Sequence, residues 1–260
     1  MAEHIEYVVN DGVGTITINR PEAKNAMTFA MLGDFISTLQ QAGQDPAAKA
    51  LVLTGVPGAF CAGTDLKDLS TIPGEHRGLR GSAQERGKWW PIVECQKPVV
   101  AAIDGPAVGM GAEFTSQCDI RLCSPEARFA WNFSHRGLVP DTGAGSWLLP
   151  RLIGVQQAMK LLYTGDFLSA EQALAINYVD QVVASSELVS TAQALAARIA
   201  ENSPFSHQRI KALVYEGLGA DVGEHMQRHT QAMQECFASD DHREGVAAFL
   251  ERRAANFTGT

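Results

Sequence analysis

The chain has 260 residues, 45% hydrophobic and 19% charged, an ordinary globular composition that excludes a disordered, collagen-like or coiled-coil chain and suffices for one large core. Its 21 Lys and Arg stand against 29 Asp and Glu, and the formal charge of −8 argues against nucleic acid as the main partner. No run approaches the ~18 apolar residues of a membrane span, and the opening MAEHIEYVV lacks the pattern of a signal peptide, so a cytosolic chain with no membrane partner is expected.

In chain order, residues 5–9, the turn Asn10-Asp11-Gly12 and residues 14–19 read as a β-hairpin, which Arg20-Pro21 ends. Met31, Leu32, Phe35, Ile36 and Leu39 recur at helical spacing over residues 28–41, and residues 50–54 form a short buried strand. A helix over 85–95, a strand over 98–103, a helix over 109–117 and a strand over 120–123 continue the alternation of an α/β core. Beyond Pro150 the only further strand signal is 179–183. Ser169-Ala-Glu-Gln172 is a capping box, residues 190–200 form an alanine-rich helix with Leu195 and Ile199 on one face, and helices follow over 205–218, 223–237 and 241–255. The organisation expected is an α/β core over 1–195 and a helical region over 196–260.

The five cysteines, Cys61, Cys95, Cys118, Cys123 and Cys236, are scattered without CxxC spacing and read as reduced packing residues. His225 and His229 stand at i and i+4, yet no third ligand or HExxH pattern accompanies them; they read as surface or packing histidines and no metal is expected. Trp89-Trp90 reads as an apolar helix face. GxSxG, GxxxxGK[ST] and GxGxxG are all absent, which disfavours a serine acyl-enzyme, a nucleoside triphosphate site and a dinucleotide fold.

Three loops can carry chemistry. Residues 58–65 follow a buried strand, where open α/β sheets place ligands. Residues 104–113 follow another; Gly105, Gly109 and Gly111 permit close backbone approach, free N–H groups open the next helix, and Glu113 falls in its first turn. Side by side, two such junctions can each aim a backbone N–H at a developing oxyanion. The third loop, residues 136–146, carries Asp141. The plainer alternatives are a connecting turn for the first loop, complementing the helix dipole for Glu113, and an N-cap or turn role for Asp141.

The segments Asn19-Arg-Pro, Lys24-Asn-Ala26, Phe60-Cys-Ala-Gly-Thr-Asp-Leu66, Lys97-Pro-Val-Val-Ala-Ala-Ile-Asp-Gly105, Gly109-Met-Gly-Ala-Glu113, Cys118-Asp-Ile120 and Asp240-Asp-His-Arg-Glu-Gly245 carry a resemblance. Along essentially its whole length the chain resembles the crotonase (enoyl-CoA hydratase/isomerase) superfamily. The resemblance implies a spiral of ββα turns followed by helices used for trimer or dimer-of-trimers assembly, and an acyl-CoA thioester as substrate with no separate cofactor. It places the thioester oxygen on the N–H groups of Thr64 and Met110, where Met110 replaces the family's usual glycine and its side chain narrows the acyl pocket. It further implies that Ala62, Gly63, Asp65, Leu66 and Lys67 line the CoA path and that Gly109 and Gly111 border the thioester. Lys24 and Lys67, with Lys211 or Arg252 from the helical part, are then expected at the CoA phosphates.

By the same resemblance Glu113 is the first catalytic glutamate, while the second falls on Phe133, which has no acid–base capacity. Asp141 matches an acid/base position in a branch resembling the phenylacetate-pathway isomerases, whose GLxPD…WLLPR run is close to residues 137–151, here with a loop one residue longer. The leading expectation is a hydratase: Glu113 orients or deprotonates water for C3 of a 2-trans-enoyl-CoA, with Asp141 completing a pair in which one carboxyl is protonated and one ionised. A Δ3,Δ2-enoyl-CoA or related ring-substrate isomerase working through one carboxylate is the alternative, favoured by Phe133. A non-catalytic binding variant, including an RNA binder, is the third reading, and the negative charge and retained Glu113 weigh against it.

Overall fold

In the computed structural model, which describes residues 4–70 and 90–260, the chain opens with the expected hairpin. Strand β1 (Ile5–Asn10) pairs antiparallel with β2 (Val13–Ile18), Ile5 opposite Ile18 and Asn10 opposite Val13. Asp11 and Gly12 supply the two left-handed positions of the tight turn, at φ 47° and 79°. After a 3-10 turn at Pro21–Ala23, helix α1 (Phe29–Gln44) starts at Thr28, whose hydroxyl accepts the Met31 N–H at 3.2 Å. Its buried side is Met31, Phe35, Leu39 and Ala42, while Leu32 and Ile36 are half-buried beside it.

Strand β3 (Ala50–Gly55), helices α2 (Leu66–Ser70) and α3 (Pro91–Glu94), and strand β4 (Val99–Ile103) come next. Of the helix expected over 85–95, residues 85–89 lie outside the described residues, as does Trp89; within them only Pro91–Glu94 is helical. Strand β5 (Pro106–Val108), helix α4 (Met110–Gln117) and strands β6 (Ile120–Cys123) and β7 (Arg128–Ala130) follow. A 3-10 turn at Asn132–Arg136 leads into α5 (Ala144–Trp147), α6 (Leu149–Ile153) and α7 (Val155–Thr164). Strand β8 (Leu168–Ser169), α8 (Ala170–Ala175), β9 (Gln181–Val182) and α9 (Ser185–Ala200) complete the α/β part, and α10 (Pro204–Gly217), α11 (Val222–Ala238) and α12 (Asp240–Glu251) complete the chain. The capping box ahead of α8 is present in both directions: Gln172 N–H donates to the Ser169 hydroxyl at 3.2 Å and Ser169 N–H to Gln172 Oε1 at 2.9 Å.

Two sheets result. The larger runs β1-β2-β3-β4-β6-β9, parallel from β2 onward, and β3 and β4 are buried at every residue, as parallel strands covered on both faces are. The smaller is β5-β7-β8. The chain spirals between them, β4 in one sheet, β5 in the other, then α4, and again β6 and β7, which is the ββα progression expected. The small sheet has no counterpart in the sequence reading because strands of two or three residues are too short to show an alternating pattern.

The main core holds Phe35, Phe60, Phe114, Phe129, Trp131 and Tyr178 fully buried. Phe35 of α1 stacks on Phe114 of α4 with centroids 4.9 Å apart, fixing these two helices across the site described below. On the other face of the large sheet, Leu188, Ala192, Ala196 and Ala200 of α9 lie on Val52, Val100, Ala102 and Leu122. Leu195 and Ile199, expected to form that face, are half-buried at its flank; the alanine stripe makes the contact because small side chains let the helix approach the strands. Residue 195 lies inside this helix, which rests on the sheet as far as Ala200.

The tail returns to the body of the protein: Lys49 Nζ donates to Phe257 O at 2.9 Å, and the buried Asp241 carboxylate accepts the Ser203 hydroxyl at 2.6 Å and the Thr258 N–H at 2.8 Å. All five cysteines are free and four of them are buried. Among the described residues no helix is long and apolar enough to cross a membrane.

Candidate active site

The loop after β3 and the loop around β5 are fused backbone to backbone. Phe60 and Cys61 N–H donate to Pro106 O at 3.1 and 3.0 Å, and Val108 N–H returns a bond to Cys61 O at 2.9 Å. A β-carbon on Gly111 would overlap Cys61 O, so this junction closes only over glycine. Asn25, fully buried, braces the same loop: its Nδ2 donates to Ala59 O at 2.7 Å, and its Oδ1 accepts the Arg20 N–H at 2.8 Å.

Thr64 and Met110 emerge side by side from this junction. Met27 bonds Gly63 O and the Asp65 N–H, both at 2.8 Å, so the backbone of Thr64 between them faces away from Met27. Met110 is the first residue of α4, where an N–H has no carbonyl one turn back. Among the described residues neither N–H has a backbone acceptor, and a β-carbon at Gly63 would lie 3.7 Å from Met110 N. Two unspent donors at one junction can hold an oxygen that gains negative charge.

Glu113, one turn into α4, is fully buried. Its Oε2 accepts the Thr142 hydroxyl at 2.6 Å, while its Oε1 has no hydrogen-bond partner among the described residues. Burial pushes its carboxyl up to about 8, reinforced by the neighbouring Asp141 and partly offset by the Thr142 hydroxyl and the Gly145 and Thr142 amides. The loop wraps closely: a β-carbon on Gly145 would overlap Glu113 Oε1 and meet Trp131 Cδ1 at 3.0 Å. Trp90 Nε1 anchors the loop by donating to Thr142 O at 3.0 Å.

Asp141 is exposed at the cavity rim, and desolvation by the loop and helix behind its carboxyl pushes it up to about 6. The Thr142 amide and the Thr64 side chain pull the other way, which places Thr64 beside Asp141. Both carboxyls are thus raised, the more buried Glu113 further, so Glu113 is the last of the two to lose its proton as pH rises.

Met110, Asp141 and Thr142 open into a cavity of about 410 Å3 that runs between α1, α3 and α4. Leu32, Ile36, Leu39, Phe114 and Cys95 give it an apolar wall, and Gln40, Gln44, Gln96 and Gln117 also line it. Its size and lining suit an acyl chain or ring with the reacting end at Met110 and Asp141, Glu113 lying behind Thr142.

The remaining expected residues divide. Lys24, Leu66 and Lys67 are exposed at the outer side of the junction, and Ala62 N–H donates to Lys24 O at 3.0 Å, tying the two loops together. The Asp65 carboxylate is turned onto Arg20 at 2.8 Å and caps α2 through the Lys67 N–H at 2.9 Å. Lys211 departs from expectation. Its ammonium is buried on Asp119 Oδ2 at 2.9 Å and on the carbonyls of Ile92 and Lys97 at 3.0 Å, so it pins α10 to the core and does not face CoA phosphates. Arg252 is exposed at the end of α12. His225 and His229 lie 6.3 Å apart on α11, and among the described residues no group of three metal-binding side chains occurs. Thr142, Gly145 and Gln117 join the site without having been singled out by the sequence: the first two stand in the glycine-rich run after Asp141, and nothing local marks the third.

The profile of the enoyl-CoA hydratase/isomerase family matches residues 9–260. The chain belongs to this family. A 1,2-epoxyphenylacetyl-CoA isomerase of Escherichia coli is 37% identical over the full length of both chains, and a short-chain-enoyl-CoA hydratase of Clostridium acetobutylicum is 34% identical over 93% of this chain and 92% of its own. Among solved structures, an enoyl-CoA hydratase from Bacillus anthracis superposes with a TM-score of 0.91 at 30% identity, covering 99% of this chain and all of that one. The chain is thus an enzyme of the enoyl-CoA hydratase/isomerase kind, a lyase or isomerase, with the mixed α/β fold and helical C-terminal region of its structural neighbours.

Proposed function

We propose that this chain hydrates a 2-trans-enoyl-CoA, and that the thioester oxygen rests on the N–H groups of Thr64 and Met110. The observation that carries the reading is the carboxyl pair: Glu113 buried, with no hydrogen-bond partner for Oε1 among the described residues, Asp141 exposed at the cavity rim, and both carboxyls raised, Glu113 the further. Asp141, the ionised member, takes a proton from water as the hydroxide adds to C3. The electrons move to the thioester oxygen, where the two N–H groups stabilise the enolate, and Glu113 Oε1 delivers its proton to C2. Return of the proton from Asp141 to Glu113 through solvent closes the cycle. This gives water to Asp141 where the sequence reading gave it to Glu113, because burial makes Glu113 the proton donor.

Lys24 and Lys67, exposed at the outer side of the junction, are proposed to meet the CoA phosphates, with residues 62–67 along the pantetheine path. Ile210, Val214, Met226, Phe237, Phe249 and Leu250 are exposed apolar side chains on α10–α12, which supports assembly of the helical region into a trimer or a dimer of trimers.

One observation favours double-bond isomerisation as a second reading. Phe133 is buried, and a β-carbon at Gly109 would lie 3.9 Å from its Cζ, so an apolar side chain faces the thioester turn where a second glutamate was looked for. Asp141 alone suffices to shuttle a proton between C2 and C4.

Incubation with a 2-enoyl-CoA and separately a 3-enoyl-CoA in heavy water, followed by mass spectrometry, decides between them. The hydratase reading expects the 2-enoyl product to be one water heavier with deuterium at C2. Conversion of the 3-enoyl substrate with no water added to either would overturn it in favour of the isomerase.

A further inference from the structure

We propose that Gln117 is a binding residue for an oxygen function, a hydroxyl or carbonyl, carried on the distal part of the acyl group. The inference deepens the acyl-CoA reading above and rests on it. Gln117 ends α4, is fully buried and lines the cavity, yet among the described residues neither its Oε1 nor its Nε2 has a hydrogen-bond partner. A primary amide offers two donors and an acceptor, and a native interior rarely leaves even one such group unmade. A methionine or leucine would fill the same volume among Leu39, Cys95 and Phe114 without that cost.

The placement gives the proposal its geometry. Met110, Glu113 and Gln117 all lie on α4, and Met110 and Gln117 are separated by about 10 Å along the helix axis, or about two turns. Glu113 meets the reacting carbons near the Met110 end, and Gln117 meets whatever lies one turn further in. An amide can donate to a carbonyl and either donate to or accept from a hydroxyl, so both oxygen functions fit and a methyl terminus leaves both amide ends unpaired. A site built to hydrogen-bond a substrate group discriminates against the analogue lacking it more sharply than an apolar pocket discriminates between chain lengths.

The test compares three substrates on the purified full-length chain: a short 2-enoyl-CoA, a medium-chain 2-enoyl-CoA, and the same medium chain with a terminal hydroxyl. The expected result is a kcat/KM about tenfold or more in favour of the hydroxylated chain, expressed mainly in KM, with the preference reversed in Gln117→Met. Equal values for the two medium chains, or a preference that survives Gln117→Met, would overturn the inference while turnover of the short substrate leaves the hydratase reading standing. If none of the three turns over, the reaction assignment fails on its own, and calorimetric titration of wild-type protein with saturated medium-chain acyl-CoA and its terminal hydroxy analogue decides the pocket instead. About tenfold tighter binding of the hydroxy analogue supports the proposal and equal affinity overturns it. Both wild-type comparisons stand even if Gln117→Met fails to fold.

Discussion

Replacing Glu113 by Gln separates what the site costs from what it does. In the unfolded chain this carboxyl ionises near 4.5, whereas in the folded protein burial holds it protonated up to about 8. A carboxyl raised in the folded state binds a proton on folding. Its contribution is therefore intact below pH 4.5, falls away as pH rises toward 8, and is constant beyond. Each pH step in that window costs about 1.4 kcal/mol, or about 3 kcal/mol at pH 7 and about 5 above pH 8. The Glu113→Gln amide is nearly the same size, cannot ionise, and can still accept the Thr142 hydroxyl at its oxygen. Urea unfolding of both proteins at pH 5, 7 and 9 should show the variant gaining stability with rising pH, by an amount of the order just given. Hydration by the variant at pH 7 should fall by about 10²- to 10⁴-fold, the ordinary worth of a positioned general acid. A stability difference that does not change with pH would refute the assignment of a proton to buried Glu113, and full activity in the variant would remove it from the chemistry.

Lys211→Met should destabilise the fold by about 3–5 kcal/mol by leaving Asp119 uncompensated against α10, with the KM for a CoA thioester unchanged; denaturation and steady-state kinetics check the two halves. Gly145→Ala should cost most of the hydration rate while the protein remains folded, because its β-carbon would displace the Glu113 carboxyl or the loop that holds it. Circular dichroism with a rate assay would show this, and unaltered turnover would contradict the packing described. Charge reversal at Lys67 should raise KM for the CoA thioester with little change in kcat, and an unchanged KM would move the phosphate site elsewhere.

Much of the framework was legible because its signals are local. Asp11-Gly12 announced the hairpin, Thr28 and the spacing of Met31, Phe35 and Leu39 announced α1, and the Ser169 to Gln172 box announced α8. The uniformly apolar runs of β3 and β4 signalled strands covered on both faces. What stayed hidden depends on contacts between segments distant in sequence. Strands β5, β7 and β8 are too short to carry a pattern and exist by pairing with one another. Lys211 looked like any free cation until α10 was laid against Asp119, 92 residues earlier in the chain. Within the site, Glu113 and the loop of Asp141 were visible from glycines and flanking strands, but which carboxyl keeps the proton is a matter of burial, and the amide of Gln117, unpartnered among the described residues, is visible only once the cavity exists.

The central claim is that Glu113 and Asp141 share one proton at neutral pH, and the pH dependence of kcat/KM for hydration tests it most directly. The account predicts a bell: activity falls below about 6 as Asp141 gains a proton and falls above about 8 as Glu113 loses its own. The acid limb should vanish together with most of the rate in Asp141→Asn. A profile flat from pH 5 to 9, or one with a single limb near 4.5, would contradict a pair in which raised Glu113 donates and Asp141 accepts in the same turnover.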